Sequence, residues 1–152
     1  MTLHMTPEPR AWLPPHRRIV PLLAVAAGRL LAAAASPDRL ERLLRRLSAG
    51  ARPASYAEAF KAREDVVAVS GRCAGQYCLE RSLAAVLLVR ARGGWADWVS
   101  GVNLAPFAAH AWIEVDGKPV GEPLRLDGFH KNILVTRRPA RAGRAAPVDG
   151  GE

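Results

Sequence analysis

Apolar positions recur first with the period of a helix and later with the period of a strand. Residues 19 to 35 form an apolar, Ala/Leu-rich run that reads as a helix. Ser36-Pro37-Asp38 is a helix start: Ser at the N-cap, Pro at the first helical position, Asp in the first turn. The helix that follows places Leu40, Leu43, Leu44 and Leu47 on one face, with Arg39, Arg42, Arg45 and Arg46 mostly on the other, and Gly50 closes it. After Pro53, Ser55 and Glu58 have the spacing of a capping box, and a helix is expected towards Val66-Val67. Another begins at Cys78, where Leu79, Leu83, Val86 and Leu87 bury together, and ends at Gly93-Gly94.

Beyond that point the period falls to two. Trp95 to Val102 has strand character, Asn103 to Pro106 reads as a loop, and Ala108 to Val115 alternates cleanly. His110, Trp112 and Glu114 share one face of that strand. Asp116-Gly117 predicts a hairpin turn, with residues 118 to 122 returning as the paired strand and residues 133 to 135 as a last short one. Helices followed by a small antiparallel sheet define an α+β chain. The expected organisation is an extended or disordered lead-in over 1–18, a helical portion over 19–52, a core over 53–136 and a disordered basic tail over 137–152.

The chain's 152 residues suffice for one domain with a sizeable core. Its net charge is +8, and nineteen of its 22 basic residues are Arg. Such an excess fits nucleic acid, an anionic surface, an acidic partner or an Ala/Arg-rich coding bias. There is no regular basic-aromatic interleaving and no nucleic-acid module signature, so nucleic acid is not an expected partner. Arg17-Arg18 ahead of an apolar run ending in Ala33-Ala34-Ala35 has the outline of a signal peptide. Pro21, Gly28 and Arg29 interrupt it, and the run is too short and too charged to span a bilayer, so an amphipathic or buried helix is expected.

The two cysteines, Cys73 and Cys78, have C-x4-C spacing, and the four histidines are scattered, so no metal site is expected. A local disulfide would consume Cys78, and the expectation is reduced thiols in a cytoplasm. A thiol at a helix N-terminus, an imidazole on a strand and a carboxylate to orient it are the parts of a cysteine acyl-transfer site. Cys78, His110 and Glu122 are the candidates, with Asp116 as the alternative third member. Glu122 is preferred because a returning strand lies beside His110, whereas a turn carboxylate points to water. For the oxyanion of a tetrahedral intermediate, the candidate donors are the Cys78 amide and the Gln76 side chain. The competing readings are a transglutaminase-type acyl transferase with the same site, and a non-catalytic basic peptide-binding module with Cys78 in its core.

Several runs resemble the lasso-peptide B proteins: Arg72 to Ala84 around the two cysteines, Gly101-Val102 through Pro106-Phe107, His110 to Glu114, and Gly117 to Glu122. The resemblance covers about residues 38 to 136. It implies a papain/transglutaminase-like cysteine peptidase that removes the leader from a ribosomally made precursor peptide, before a cyclase closes a macrolactam. Carried over residue by residue, it makes Cys78 the nucleophile and His110 the general base and then acid. Many members carry Asp where this chain has Glu122, and Cys73 matches a recurrent cysteine of the motif. Some members carry a winged-helix peptide-recognition domain ahead of the peptidase. Residues 1–52 are too short and too helical for one, so the expectation is a stand-alone peptidase served by a separate leader-recognition protein. The Leu40–Leu47 helix is a candidate contact with that protein. Neither metal nor ATP is expected to be needed for the cleavage step.

Overall fold

The computed structural model describes residues 7–139. In chain order it contains α1 (Pro15–Ala34), α2 (Pro37–Leu47), β1 (Arg52–Pro53), α3 (Tyr56–Val69), α4 (Cys78–Ala91), β2 (Gly94–Trp95), β3 (Asp97–Leu104), β4 (Phe107–Val115), β5 (Lys118–Pro119) and β6 (His130–Val135). Four strands form an antiparallel sheet in the order β5-β4-β3-β6, and β1 and β2 form a separate parallel pair. The α+β architecture is as expected.

Helix α4 is the centre of the molecule. The sequence pattern gave it one buried face, but residues 81 to 86 are buried without a break, Arg81 and Ser82 among them. A helix covered on every side has no solvent face to show a period. One side packs on the sheet, where the Trp98 indole N–H donates to Ser82 Oγ at 3.0 Å. Another side takes α1. A Cβ on Gly28 would lie 2.9 Å from the Ala84 amide nitrogen and 3.0 Å from the Glu80 carbonyl oxygen, so glycine sets how closely these two helices approach. The outer face of α1 leaves Ile19, Leu22, Leu23 and Leu30 exposed.

The N-terminal helices pack on the same core as the later elements. Ala24, Leu40 and Leu44 share one hydrophobic cluster with Leu83, Val86, Trp98 and Ile113. The extended lead-in ends sooner than expected. Helix α1 starts at Pro15, because proline at a first helical position sacrifices an N–H that has no partner there. Before it, Leu13 is buried and the Glu8 N–H donates to the Ala74 carbonyl at 2.8 Å, which fastens the segment to the turn ahead of α4. Of the expected basic tail, residues 140–152 lie outside the described residues, and Arg138 bridges to Ala49.

The capping box forms as read: Glu58 N–H donates to Ser55 Oγ at 3.2 Å and Ser55 N–H donates to Glu58 Oε2 at 2.9 Å. Ser36 sits at the start of α2 without a side-chain capping bond. The strand expected from Trp95 is two pieces, since Gly94–Trp95 pairs with β1 and Asp97 begins β3. The loop expected at 103–106 is shorter, as β3 and β4 stay paired out to Leu104 and Phe107.

The Asp116-Gly117 turn forms with positive φ at both residues, the geometry that suits a two-residue hairpin. The returning strand is cut to Lys118–Pro119, because proline cannot continue the ladder. Val120 adds one more backbone bond to Ile113, and Gly121 at φ +61° turns the chain away. Glu122 therefore lies just past the strand rather than on it.

Candidate active site

The abrupt end of β5 opens the edge of β4. Ile113 still faces a partner on that side through Val120, but Ala111, two residues earlier on the same edge, does not. Its N–H is left towards the first turn of α4, where it favours the charged form of Cys78. The strand thus delivers a backbone donor to the sulfur and the neighbouring His110 ring beside it.

Cys78 and His110 lie close enough for each to favour the charged form of the other. On the other side of the ring, His110 Nε2–H donates to Glu122 Oε2 at 2.7 Å. Glu122 takes Nε2, which leaves Nδ1 for the thiol. The imidazole is held flat by Trp112, stacked at 5.8 Å between centroids, and by Phe129 edge-on at 6.1 Å. Gly101 makes this packing possible, because a Cβ there would lie 2.9 Å from the Trp112 ring and 2.7 Å from the His130 carbonyl oxygen.

The electrostatics shift Cys78 towards the thiolate and His110 towards the imidazolium. Burial pushes the Cys78 thiol up, but the His110 hydrogen bond and charge, the Ala111 N–H and the Arg81 charge outweigh it, and the thiol sits below its ordinary 9.0. Burial acts to lower His110, yet its bonds to Cys78 and Glu122 raise it to about 9. Burial would raise Glu122; its bond to His110 and the charges of Arg81 and Arg63 pull it below the usual carboxylate value. By contrast Cys73 is fully buried, and its thiol is raised chiefly by that burial. Both cysteines are free thiols.

Sequence reading missed three charged residues that surround this group. Arg81, one turn along α4 from Cys78, is 1% exposed, and its Nη1 donates to the carbonyls of Cys73 and Gly75 at 3.2 and 3.0 Å. Its Nη2 is 3.6 Å from Glu122 Oε2. Arg63 on α3 is 4% exposed, with its Nε 3.5 Å from Glu122 Oε1. Its two terminal nitrogens donate to Glu8 at 2.8 and 2.6 Å. A signal for Arg81 exists in the sequence, since Cys78 and Arg81 are three residues apart on a helix and share a face. Arg63 and Glu8 carry none.

Of the remaining candidates, Asp116 is exposed in the hairpin turn. It lies six residues beyond His110, roughly 20 Å along a strand at about 3.3 Å per residue. The structure joins Glu122, and not Asp116, to the imidazole. The Cys78 amide was an expected oxyanion donor, but it is engaged: it donates to the Gln76 carbonyl at 3.0 Å, a tight turn centred on Tyr77. The Gln76 side chain is exposed and lines a cleft of about 510 Å³. That cleft runs between Arg29, Ala32 and Ala33 of α1 and residues of the segment from Arg72 to Glu80, Cys78 among them. Among the described residues no group of three or more His, Cys, Asp or Glu side chains could hold a metal ion.

A helix-borne thiol, a strand imidazole and a carboxylate behind it, with Cys78 lining a cleft, are the parts that a cysteine acyl-transfer site needs. The model of the transglutaminase-like superfamily matches residues 22–134, and the chain belongs to that superfamily. Its members include enzymes of the cysteine-peptidase and acyltransferase kind. No curated protein and no solved structure matches the chain. Among the described residues, no helix is long and apolar enough to cross a membrane.

Proposed function

We propose that this protein is a cysteine peptidase that removes the leader from a ribosomally made lasso-peptide precursor. The observation that carries the peptidase reading is the buried His110–Glu122 pair, at 2.7 Å, beside a half-buried Cys78 that lines the cleft. The Cys78 thiolate attacks the scissile carbonyl, and the oxyanion that forms faces the Gln76 amide at the cleft wall. The His110 imidazolium gives its proton to the leaving amine, and a thioester remains on Cys78. Neutral His110 then takes a proton from water, the hydroxide attacks the thioester, and the second product leaves with the thiolate restored. Glu122 stays ionised throughout and balances the imidazolium.

The leader-removal reading is supported by the sequence runs around Cys78, His110 and Glu122. In it, a separate leader-recognition protein brings the precursor to this chain, and a macrolactam-forming cyclase takes the product. The basic side of α2 suits a docking role. Leu40 and Leu44 face the core, so its outer surface is left to Arg39, Arg42 and Arg46. Incubation with precursor peptide and the leader-recognition protein, followed by mass spectrometry, tests the proposal. Two fragments that together exceed the precursor by one water support it. An intact precursor in the presence of a partner shown to bind it overturns it.

Transfer of the acyl group to an amine is the second reading, favoured by the family alone. It uses the same thioester and is distinguished by loss of ammonia from a Gln side chain in place of water uptake.

A further inference from the structure

The segment ahead of α1 reaches the catalytic cluster at one side chain. We propose that Glu8 is a positioning residue of the site, acting through Arg63 to keep Glu122 on His110. The proposal rests on Cys78 and His110 being the reactive pair.

Two guanidinium groups lie beside Glu122, at 4% and 1% exposure. Neither can lose its proton, so each needs a counter-charge in the interior. Glu8 supplies one. It accepts both terminal nitrogens of Arg63, at 2.8 and 2.6 Å, and lies 3.8 Å from Arg81 Nη1. With Glu8 present the cluster is balanced: two guanidiniums, two carboxylates and one thiolate–imidazolium pair.

Geometry shows what the balance does. Arg63 turns its fork to Glu8 and presents only Nε to Glu122, at 3.5 Å and without a hydrogen bond. Arg81 Nη2 is likewise buried, 3.6 Å from Glu122 and without a hydrogen-bonding partner. Glu122 is close to both cations but bonded to neither, and its short bond goes to His110. Remove the Glu8 charge, as in Glu8→Gln, and the fork of Arg63 loses one of its two acceptors and its counter-charge. The carboxylate already beside it is Glu122, and a two-pronged bond there competes with the bond to His110.

His110 is faced by Cys78 from α4 and Glu122 from the loop after β5, and Glu122 in turn by Arg81 from α4 and Arg63 from α3. Trp112 and Phe129 pack the His110 ring, and at the cleft rim Glu80 is paired with Arg72. Losing Glu8 therefore acts on His110 in one direction by two routes. Its carboxylate is drawn away, and the surrounding charge becomes more positive. Both favour the neutral ring.

The experiment is the pH dependence of Cys78 alkylation by iodoacetamide in the full chain, read by intact mass. It needs no peptide substrate, so it stands or falls apart from the leader-peptidase reading. The step in alkylation rate that reports His110 is expected near 9 in the native protein. In Glu8→Gln it should move to lower pH by about one pH unit. In Glu8→Gln/Arg63→Gln, which also removes the surplus cation, it should move back towards the native position. A merely structural role for Glu8 would not restore the step in the double variant. An unmoved step in a cooperatively folded Glu8→Gln protein, or no return in the double variant, overturns the proposal. If Glu8→Gln does not fold, Glu8→Asp keeps the charge one methylene short. A smaller shift in the same direction is then expected, and an unmoved step overturns the proposal equally.

Discussion

His110 and Glu122 are twelve residues apart in the chain and 2.7 Å apart in space. A two-residue turn, a two-residue strand and a glycine at positive φ bring them together. The Tyr56 hydroxyl pins that return from α3, donating to the Pro119 carbonyl at 3.3 Å and accepting the Gly121 N–H at 3.2 Å.

Removing the charge of Glu122 should therefore cripple the enzyme without emptying the site. Glu122→Gln is expected to lower kcat/KM by roughly 10²-fold or more, since the imidazolium loses its balancing charge. Asp116→Asn, at the exposed turn, should stay within about twofold of the native rate. Initial rates of precursor cleavage by the two variants check both.

The same carboxylate makes stability depend on pH. Glu122 is held below its ordinary 4.5 in the folded chain. Its contribution is complete above that unfolded value and is lost as pH falls through the folded one. Urea midpoints should therefore drop on acidification below about pH 4.5. They should drop less in Glu122→Gln, which has no proton to take up there.

Cys73 and Cys78 should react differently although only four residues separate them. The native protein should take one alkyl group at neutral pH, on Cys78, because Cys73 is fully buried with its thiol raised. Cys73→Ala should keep the activity and cost about 1 kcal/mol. Peptide mapping of the alkylated protein locates the label.

Gly28→Ala forces α1 from α4, because the new methyl would meet backbone atoms of Ala84 and Glu80. Overpacking of this kind costs about 1–3 kcal/mol. Arg29, Ala32 and Ala33 of α1 form one wall of the cleft, so KM should rise more than kcat falls. Thermal melts and steady-state kinetics on one preparation separate the two effects.

Arg42→Glu combined with Arg46→Glu changes only the exposed side of α2. It should abolish pull-down of the leader-recognition protein and leave the Cys78 alkylation rate unchanged. Unchanged pull-down would remove α2 from the docking surface.

Local signals carried much of the fold. The capping box at Ser55 and Glu58, the helix start at Pro37 and the Asp116-Gly117 turn each depend on neighbours a few residues apart, so the sequence displays them. Cys78 and His110 were readable because each occupies a position set by its own element: a first helical turn, and a strand reaching an open sheet edge. What stayed hidden depends on distant parts of the chain. The all-round burial of α4 comes from α1 on one side and the sheet on the other. The pairing of Arg63 with Glu8 spans 55 residues and has no periodicity to betray it. The engagement of the Cys78 amide comes from a turn conformation at Tyr77 that its residue type does not announce.

The most direct measurement is a pH titration of thiolate absorbance in the ultraviolet, on the native protein and on His110→Ala. The account predicts one thiolate per chain forming below the ordinary thiol value of 9.0. Replacement of His110 should push that ionisation to higher pH. A native protein with no thiolate until 9.0 or above, and a His110→Ala protein with the same curve, would contradict it.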